Sequence, residues 1–423
     1  MHTPKEDFEF LNSEPWLKYT HHRYLNSEEI KRRIYGTGST KGWNELWQRI
    51  SLSRKHGAIP ISIPSIGMDF WYFPSDSLQK KIIEIEQLGT LLYDKIVEAA
   101  FKSEFLADAA IEEAITSAIY EGANTTRAQA KQLIESGKRP VTKDDWMLLN
   151  NFEAMNWIKD HSEEKVTVNL ILKIHQIVSK NTLESVDANY SGKFRDDKVF
   201  VRNTSGAAVH EGVSYLKIPK AIEEAINVTT NNPRYLHPLI KGTLLHYLIA
   251  YIHPFFDGNG RTARTMFYFK SMKHDLKFVE LLSISAHLKN SGNMYERVFT
   301  VIKDHDWDLT YFIDYCLESL LAALKIVDGK VSYLVRINTL KDQYELNENQ
   351  IGLLQRLALN KYRNITIESY AEEILKSREV ARKELKALVS SGLVVERKVG
   401  KKFVYQVDSK FLKESVVAQG NKN

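Results

Sequence analysis

Apolar residues recur at three- and four-residue steps along most of the chain after Leu78, which is the period of an amphipathic helix. Ile82, Ile85, Leu92 and Ile96 are the first clear case. The same spacing predicts further helices over 103–120, 125–136, 144–161, 168–182, 276–289, 294–302 and 310–327. A mainly α fold follows from this pattern.

Two regions depart from the helical period. Residues 1 to about 75 are rich in aromatic side chains, and we predict irregular structure there with a β-prone stretch at 58–73. This region is expected to pack on the helical core, and the sequence does not indicate its function. The short β-prone runs 199–201 and 214–218 flank turn residues at 203–206, which predicts a hairpin.

The predicted helices and strands of the segment 345–410 follow each other in an order that indicates a separate small domain. It predicts helices over 350–359, 367–375 and 378–390, then strands 393–399 and 403–407 around a Gly400-Lys401-Lys402 tip. This order resembles a winged helix-turn-helix domain. Its third helix and its wing carry basic side chains, namely Arg378, Arg382, Lys386, Lys398, Lys401 and Lys402. These are suited to DNA phosphates, although a solvated face or a protein-docking surface is equally compatible.

Composition narrows the class of protein. The chain has 423 residues, 43% of them hydrophobic, which is enough for two to four domains with real cores. A net charge of +5 is too small to require a nucleic-acid partner. Cys316 is the only cysteine, so an intrachain disulfide is excluded. The start at Met1 lacks a signal pattern and no run of 18 apolar residues occurs, so a cytoplasmic location is expected.

The stretch 253–264, with the sequence HPFFDGNGRTAR, carries the candidate chemistry. Pro254 disfavours helix at His253, so the preceding apolar helix should end there. The next helix should begin at Asn259 or Gly260, and its free N–H groups and dipole form a ready anion site. His253 is suited to accept a proton, and Asp257 is a hard oxygen ligand for a magnesium ion shared with phosphates.

Two arginines complete the groups in this stretch that are suited to bind phosphates. Arg261 and Arg264 are three residues apart, so they should share a face of the first helical turn and reach one polyphosphate. A base, a metal ligand, an anion site and cations are the parts needed to transfer a phosphate-containing group.

This stretch resembles the HPFxDGNGRxxR signature of the Fic (FIDO) family at every specified position, and the wider resemblance covers roughly residues 78–325. The resemblance implies transfer of AMP from Mg-ATP to a hydroxyl side chain of a target protein, with His253 as base and Asp257 on the metal. It implies that Gly258, Asn259, Gly260 and Arg261 contact the phosphates and that Arg264 meets the γ-phosphate. Family members that act as kinases carry lysine at the position of Gly260, so AMP transfer is favoured here.

Other positions match the family more weakly. Ser117, Glu121 and Gly122 resemble its inhibitory motif [ST]xxxE[GN], in which the glutamate pairs with the second arginine, here Arg264. A carboxylate on that arginine would occupy the place of the γ-phosphate; the alternative is a plain helix end with Gly122 as its cap. Tyr295 resembles a tyrosine beside the adenine, with a core tyrosine as the alternative. The predicted hairpin corresponds to a flap that could align a target segment by main-chain pairing.

The chain is therefore interpreted as an N-terminal accessory region (1–77), a Fic helical catalytic domain that includes the inhibitory helix (78–330) and a winged-helix domain (345–410). We expect a self-inhibited protein adenylyltransferase that uses ATP and Mg²⁺. Removal of AMP from a modified target, with Glu121 positioning a water, is a second hypothesis. A DNA-binding regulator whose Fic core senses nucleotide is the third. The target protein, the modified residue and the oligomeric state, with a homodimer among the alternatives, stay open.

Overall fold

Two structural units make up the chain, one of residues 1–90 with 109–323 and the other of 91–108 with the residues from 324 onward. The computed structural model describes residues 3–36, 38, 41–98, 102–202, 206–272, 276–290, 294–359, 365–399 and 402–407. Within these ranges no helix combines the length and apolarity that crossing a bilayer requires.

Helices dominate both units. They are α1 (Pro4–Leu11), α2 (Ser27–Tyr35), α3 (Trp43–His56), α4 (Asp76–Glu98), α5 (Lys102–Tyr120), α6 (Arg127–Ser136), α7 (Lys143–Asp160), α8 (Val168–Val178), α9 (Ile218–Thr230), α10 (Pro238–Ile252), α11 (Asn259–Met272), α12 (Ile284–Asn290), α13 (Met294–Asp304), α14 (Thr310–Gln343), α15 (Glu348–Leu359), α16 (Ile367–Glu373) and α17 (Arg378–Ser390). Three antiparallel hairpins pair β1 (Ile59–Ile63) with β2 (Met68–Tyr72), β3 (Phe200–Arg202) with β4 (Ala208–Glu211), and β5 (Val394–Val399) with β6 (Lys402–Val407). The mainly α fold class is confirmed.

Helices α10 and α11 form the centre of the first unit. Both are buried around most of their circumference, so neither shows the one-sided apolar stripe of a surface helix. Their backbones approach closely at Gly242, where a Cβ atom would lie 2.1 Å from the Ser271 Oγ and 2.9 Å from the Phe267 carbonyl oxygen. Only glycine fits there, and the close approach packs the first turns of α10 against the last turns of α11.

The N-terminal region is helical, and the prediction of irregular structure before residue 58 was wrong. Helices α1 and α2 each begin with a capping box, in which Thr3 pairs with Glu6 and Asn26 pairs with Glu29. Those spacings are visible in the sequence, but the helices are too short for a clear apolar period. The β-prone stretch was predicted correctly, since it forms β1 and β2.

Four further boundaries differ from prediction. The second flap strand is β4, not 214–218, because Pro219 at the first turn of α9 commits that segment to a helix start. Helix α8 ends at Val178, before Asn181 with φ +57°. Segment 276–289 divides into a 3₁₀ turn (Lys277–Leu281) and α12, while α14 runs sixteen residues beyond the predicted Val327, to Gln343.

The N-terminal region packs on the core through a buried polar cluster, as expected. Arg54 is buried and donates hydrogen bonds to the Leu25 carbonyl at 3.0 Å and to the Tyr311 hydroxyl at 3.1 Å. Its guanidinium lies 4.1 Å from the centre of the Tyr24 ring, and the Tyr24 hydroxyl donates to Asp308 at 2.6 Å. Because buried charges need partners, this cluster fixes the region to the start of α14.

In the second unit, α15, α16 and α17 precede the β5–β6 hairpin in the predicted order, with α17 at its predicted bounds. Ser377 caps α17 by accepting from the Val380 N–H. A single bridge between Ile365 and Tyr405 adds to the hairpin. Gly400 and Lys401 at the predicted tip lie outside the described residues, and Lys402 is the first residue of β6.

Tyr24→Phe is expected to lower the free energy of unfolding by about 1–3 kcal/mol, because it leaves a buried acceptor on Asp308 without its donor. Urea unfolding of the full chain measures this loss. Tyr235→Phe is the matched control, since Tyr235 is 79% exposed and should leave stability unchanged. A change at Tyr24 no larger than at Tyr235 would contradict the structural role of the cluster.

Candidate functional site

The loop between α10 and α11, residues 253–258, brings the predicted chemical groups together. Helix α10 ends where His253 adopts the left-handed conformation, with φ 53° and ψ 60°. This conformation is uncommon for a residue other than glycine and indicates that the surroundings impose it. Helix α11 begins at Asn259, as predicted. His253 and the N-terminus of α11 are therefore separated by one tight turn.

Hydrogen bonds hold His253 in one tautomer. Its Nδ1 lies 3.2 Å from the Ala250 carbonyl oxygen, which can only accept, so Nδ1 carries the proton and Nε2 keeps the lone pair. Arg195 Nε donates to the His253 carbonyl at 2.8 Å. Burial, helped by the nearby His210 and Arg195, lowers the pKa of His253 to about 4. The imidazole is therefore neutral at physiological pH and ready to accept a proton.

Asn259 closes the turn with its side-chain amide. Its Oδ1 accepts from the Phe255 N–H at 2.9 Å, and its Nδ2 donates to the Phe255 carbonyl at 2.8 Å. Asn259 is 3% exposed, so these two bonds are shielded from water. Its Oδ1 and one of its two Nδ2 N–H groups are thus bonded to Phe255, and the phosphate contact of Asn259 stays a prediction.

His175 on α8 and Arg261 on α11, which bonds to the end of α8, support the turn. His175 Nε2 donates to the Asp257 carbonyl at 3.0 Å, and its ring stacks on Phe255 with centres 3.6 Å apart. Burial lowers the pKa of His175 to about 4, so it is a neutral, hydrogen-bonded core histidine. Arg261 donates to the Val178 carbonyl at 2.7 Å and to Asp257 Oδ2 at 3.2 Å.

Arg261 and Arg264 have different partners, although a shared face was expected. Arg264 points to α5, where Nε donates to the Ser117 Oγ at 3.0 Å and Nη2 donates to Glu121 Oε1 at 2.7 Å. Arg264 is 1% exposed. Burial alone would lower its pKa, but Glu121 together with Tyr295 and Glu113 outweighs burial and the pKa is raised. Because Arg261 is bonded toward α8, Arg264 is the cation placed beside Gly260.

Glu121 lies against the first turn of α11. A Cβ atom added to Gly260 would be 2.2 Å from Glu121 Oε1 and 2.9 Å from Arg264 Nη1. The carboxylate therefore occupies the positive end of the helix dipole, where an anionic ligand would otherwise bind. In the described part of the chain, the buried Nη1 of Arg264 has no hydrogen-bond partner. An anion at this place would find an unpaired donor.

Asp257 is the most accessible charged group of the loop. Its side chain is 45% exposed, Oδ1 accepts from the Gly258 N–H at 2.6 Å, and Oδ2 accepts from Arg261. Among the residues that the structure describes, no group of three or more metal-binding side chains occurs. A single exposed carboxylate suits Mg²⁺, which usually binds through one or two carboxylates together with substrate phosphates.

Tyr295 is buried, and its hydroxyl lies 2.9 Å from His246 Nε2. Its ring centre is 5.6 Å from that of Tyr120, in an edge-on arrangement. Tyr120 also lies under the Arg264 guanidinium, 5.6 Å from its ring centre. Tyr295 is therefore one contact away from the residues around Gly260, and it has the environment of a core tyrosine.

The β3–β4 hairpin is joined to the end of α10. The Val213 N–H donates to the Ile252 carbonyl at 3.1 Å, and His210 Nε2 donates to the Tyr251 carbonyl at 2.7 Å. The side chains of Phe200 and Val209 are 47% and 53% exposed. Residues 203–205 of the predicted turn at 203–206 lie outside the described residues. The hairpin thus places exposed apolar side chains close to the residue that precedes His253.

Arg195 is a site residue that sequence reasoning missed. Besides the His253 carbonyl, its guanidinium reaches the Asp197 carbonyl at 2.6 Å and the Val213 carbonyl at 2.5 Å. It thereby joins the end of α10 to the base of the hairpin. One arginine in a loop carries no sequence signal of such a role, because all three acceptors are backbone carbonyls.

Part of the chain is similar to known proteins. Residues 165–269 match the model of the Fic/DOC family. A protein adenylyltransferase Fic of Nematostella vectensis is 28% identical over 212 residues, which are 44% of this chain and 46% of that protein. One of Drosophila mojavensis is 32% identical over 154 residues, 34% of this chain and 28% of that protein. The chain thus spans less than half the length of these relatives.

A solved structure shows the same fold. The Fic family protein from Desulfovibrio desulfuricans G20 superposes with a TM-score of 0.54 at 17% identity, over 80% of this chain and 98% of that chain.

Asn259→Asp is expected to lower the free energy of unfolding by about 1–3 kcal/mol, since a carboxylate cannot donate to the Phe255 carbonyl and adds a buried charge. Urea unfolding measures the loss. Asn227→Asp is the matched control, because exposed Asn227 only accepts from Asn231 and aspartate can still do so. Equal stability of the two variants would show that Asn259 does not hold the turn.

Proposed function

Because this chain carries a Fic/DOC-family domain, we propose that it is a protein adenylyltransferase. The observation that carries the proposal is the convergence of a neutral His253, a half-exposed Asp257 and the N-terminus of α11 around one turn. Relatives named as adenylyltransferases are similar to this chain over 212 and 154 residues. ATP is the proposed donor and a hydroxyl side chain of a target protein the acceptor.

In the proposed step, His253 Nε2 takes the proton of the target hydroxyl as the hydroxyl oxygen attacks the α-phosphorus of ATP. The new oxygen–phosphorus bond forms while the bond from that phosphorus to the oxygen bridging to the β-phosphate breaks. AMP is then attached to the target and pyrophosphate leaves. The Nδ1 bond to Ala250 keeps the imidazole in the tautomer that this role requires.

The donor would be held by the start of α11. The N–H groups at Gly258, Asn259 and Gly260 supply an anion site at a helix N-terminus, and Arg264 supplies the cation beside it. Asp257 would hold Mg²⁺, whose charge would offset that of the phosphates. Arg261 would act from behind the turn by orienting Asp257. Tyr295 would lie beside the adenine. The exposed side of the β3–β4 hairpin would pair with an extended target segment.

Glu121 would restrain the reaction. Its carboxylate occupies Arg264 and the first turn of α11, where a terminal phosphate would have to bind. ATP bound beside it would lack its arginine partner and would be misaligned for transfer. Ser117, which accepts from Arg264 at 2.8 Å, would hold the guanidinium in the inhibited orientation.

Glu121→Gly is expected to raise AMP transfer by about 10- to 100-fold, since a charge-assisted bond of about 1.5–3 kcal/mol no longer holds Arg264. His253→Ala in that background should lower transfer by about 100- to 10,000-fold, the usual contribution of a general base. The measurement is protein labelling in a cell lysate with ATP labelled at the α-phosphate. ATP labelled at the γ-phosphate should leave no label, and His22→Ala serves as an exposed histidine control.

Three other outcomes would replace this proposal. Label from the γ-phosphate would indicate a kinase. Release of AMP from a previously modified target by the unchanged protein, dependent on Glu121, would indicate the de-AMPylating activity instead. If neither the unchanged protein nor the Glu121→Gly variant transfers label, and no AMP is released, the remaining hypothesis is the nucleotide-sensing regulator.

We further propose that the 345–410 segment is a winged-helix domain that contacts DNA phosphates. Arg378, Arg382 and Lys386 are exposed along α17. A backbone hydrogen bond lowers the pKa of Glu368, and both Arg378 on α17 and Lys402 on β6 lower it further. One basic side chain of the helix and one of the wing therefore lie close enough to act on the same residue.

Arg378→Ala and Arg382→Ala are each expected to weaken the binding of duplex DNA by a similar factor for any DNA sequence. Each should also reduce the slope of the logarithm of the binding constant against the logarithm of the salt concentration by about one unit per lost phosphate contact. Fluorescence anisotropy of the full chain with a labelled duplex of about 20 base pairs, at several salt concentrations, measures both. Lys220→Ala is the control at an exposed lysine outside the segment. Absence of binding at low salt would overturn the DNA contact.

A further inference from the structure

Helix α5 carries a buried glutamate, Glu113, two turns before the partly buried Glu121, which follows the end of the helix. It is 2% exposed and accepts hydrogen bonds from the Tyr268 hydroxyl at 2.8 Å, the Ser283 hydroxyl at 3.0 Å and the Ser285 N–H at 3.0 Å on Oε2. The Ser285 hydroxyl donates to Oε1 at 2.5 Å. Each of these groups can donate and the carboxylate can only accept, so the arrangement is internally consistent.

Glu113 is part of one row of polar contacts between α5 and α11. Glu113, Ser117 and Glu121 follow each other at four-residue steps, and so do Tyr268, Arg264 and Gly260 in the opposite direction. Residues at such steps share one face of a helix. Glu113 contacts Tyr268, Ser117 contacts Arg264, and Glu121 contacts both Arg264 and the backbone at Gly260. Glu113 and Glu121 are about 12 Å apart along the helix.

Glu113 also binds the segment that follows α11 in the chain. Ser283 and Ser285 lie at the start of α12, where free backbone N–H groups need acceptors. The Tyr268 hydroxyl accepts from the Ile284 N–H at 2.6 Å, so the carboxylate, the tyrosine and the start of α12 form one hydrogen-bonded group. Moving α5 away would leave several buried donors unpaired, each of which is costly.

We propose that Glu113 is a positioning residue that holds α5 against α11 and thereby keeps Glu121 on Arg264. This inference rests on the proposed function, because it concerns the release of the same site. It adds that inhibition is released by a shift of the helix and not only by rotation of the Glu121 side chain. A partner or ligand that activates the protein would therefore have to break the contacts at Ser283–Ser285 as well.

The test compares Glu113→Gln with Glu112→Gln in the full chain. The Glu113→Gln variant loses the charge that strengthens four bonds but keeps nearly the same side-chain shape. Glu112 is the adjacent residue and pairs instead with Arg127, away from the α5–α11 row. Glu113→Gln should raise basal AMP transfer about five- to tenfold, below the level of Glu121→Gly, while Glu112→Gln should leave it unchanged.

The positioning role and a purely structural role of Glu113 predict different activities in the Glu121→Gly background. If Glu113 acts through Glu121, then Glu113→Gln should not raise AMP transfer further in that background. A general loss of stability would instead lower activity in both backgrounds. Basal activity of Glu113→Gln equal to that of the unchanged protein, with Glu121→Gly active, would overturn the proposal and assign release to the Glu121 side chain alone.

Hydrogen exchange supplies a readout that does not depend on the reaction. Amides 114–121 should exchange about five- to tenfold faster in Glu113→Gln and at the original rate in Glu112→Gln. Unchanged exchange in Glu113→Gln would refute the positioning role even if the protein transfers no AMP. If Glu113→Gln does not fold, then Ser285→Ala, which removes only the donor to Oε1, should show the same direction of change in both measurements.

Discussion

The pair of hydrogen bonds from the Asn259 amide to the Phe255 backbone is the constraint on which the site depends. The bonds close the turn between two buried helices, and this closure puts His253 next to the N-terminus of α11. A flexible loop of the same sequence would bring the base and the anion site together only part of the time. Catalytic groups held before the substrate arrives need less reorganisation in the transition state.

The surroundings of the turn show why the closure is stable. Gly242 lets α10 and α11 approach, Arg195 binds the carbonyl of His253, and His175 binds the carbonyl of Asp257. Each of these two side chains satisfies a backbone carbonyl that the end of a helix or a tight turn would otherwise leave unpaired. The side chains that support the site thus satisfy backbone groups, whereas His253 and Asp257 keep a lone pair or an open side for chemistry.

The contact between Glu121 and Arg264 follows the same logic with a different outcome. Arg264 is buried at the helix start and needs an anionic partner. Glu121 supplies it from just beyond the end of α5, and Ser117 and Glu113 form further polar contacts between α5 and α11. A triphosphate that reaches this end of α11 must compete with a partner held within the same protein. In the proposed function, regulation is therefore an exchange of one anion for another on Arg264.

The sequence by itself determined the local features. The spacing of apolar residues located most helices of the first unit, and Pro254 with the following glycines located the turn, because both act through the backbone of their own neighbours. The residues of the 253–264 stretch could be named for the same reason. The capping boxes of α1 and α2 were equally local, but the helices they begin were overlooked because their apolar period is short.

Tertiary structure alone decided which distant groups meet. Nothing local indicates that Arg195 reaches the end of α10, that Arg261 turns toward Val178 while Arg264 turns toward Ser117, or that Glu113 binds Ser283 and Ser285. These contacts join residues far apart in the chain, many through backbone atoms that every residue possesses. The type of a side chain therefore does not reveal its partner, which is determined by the packing of the helices.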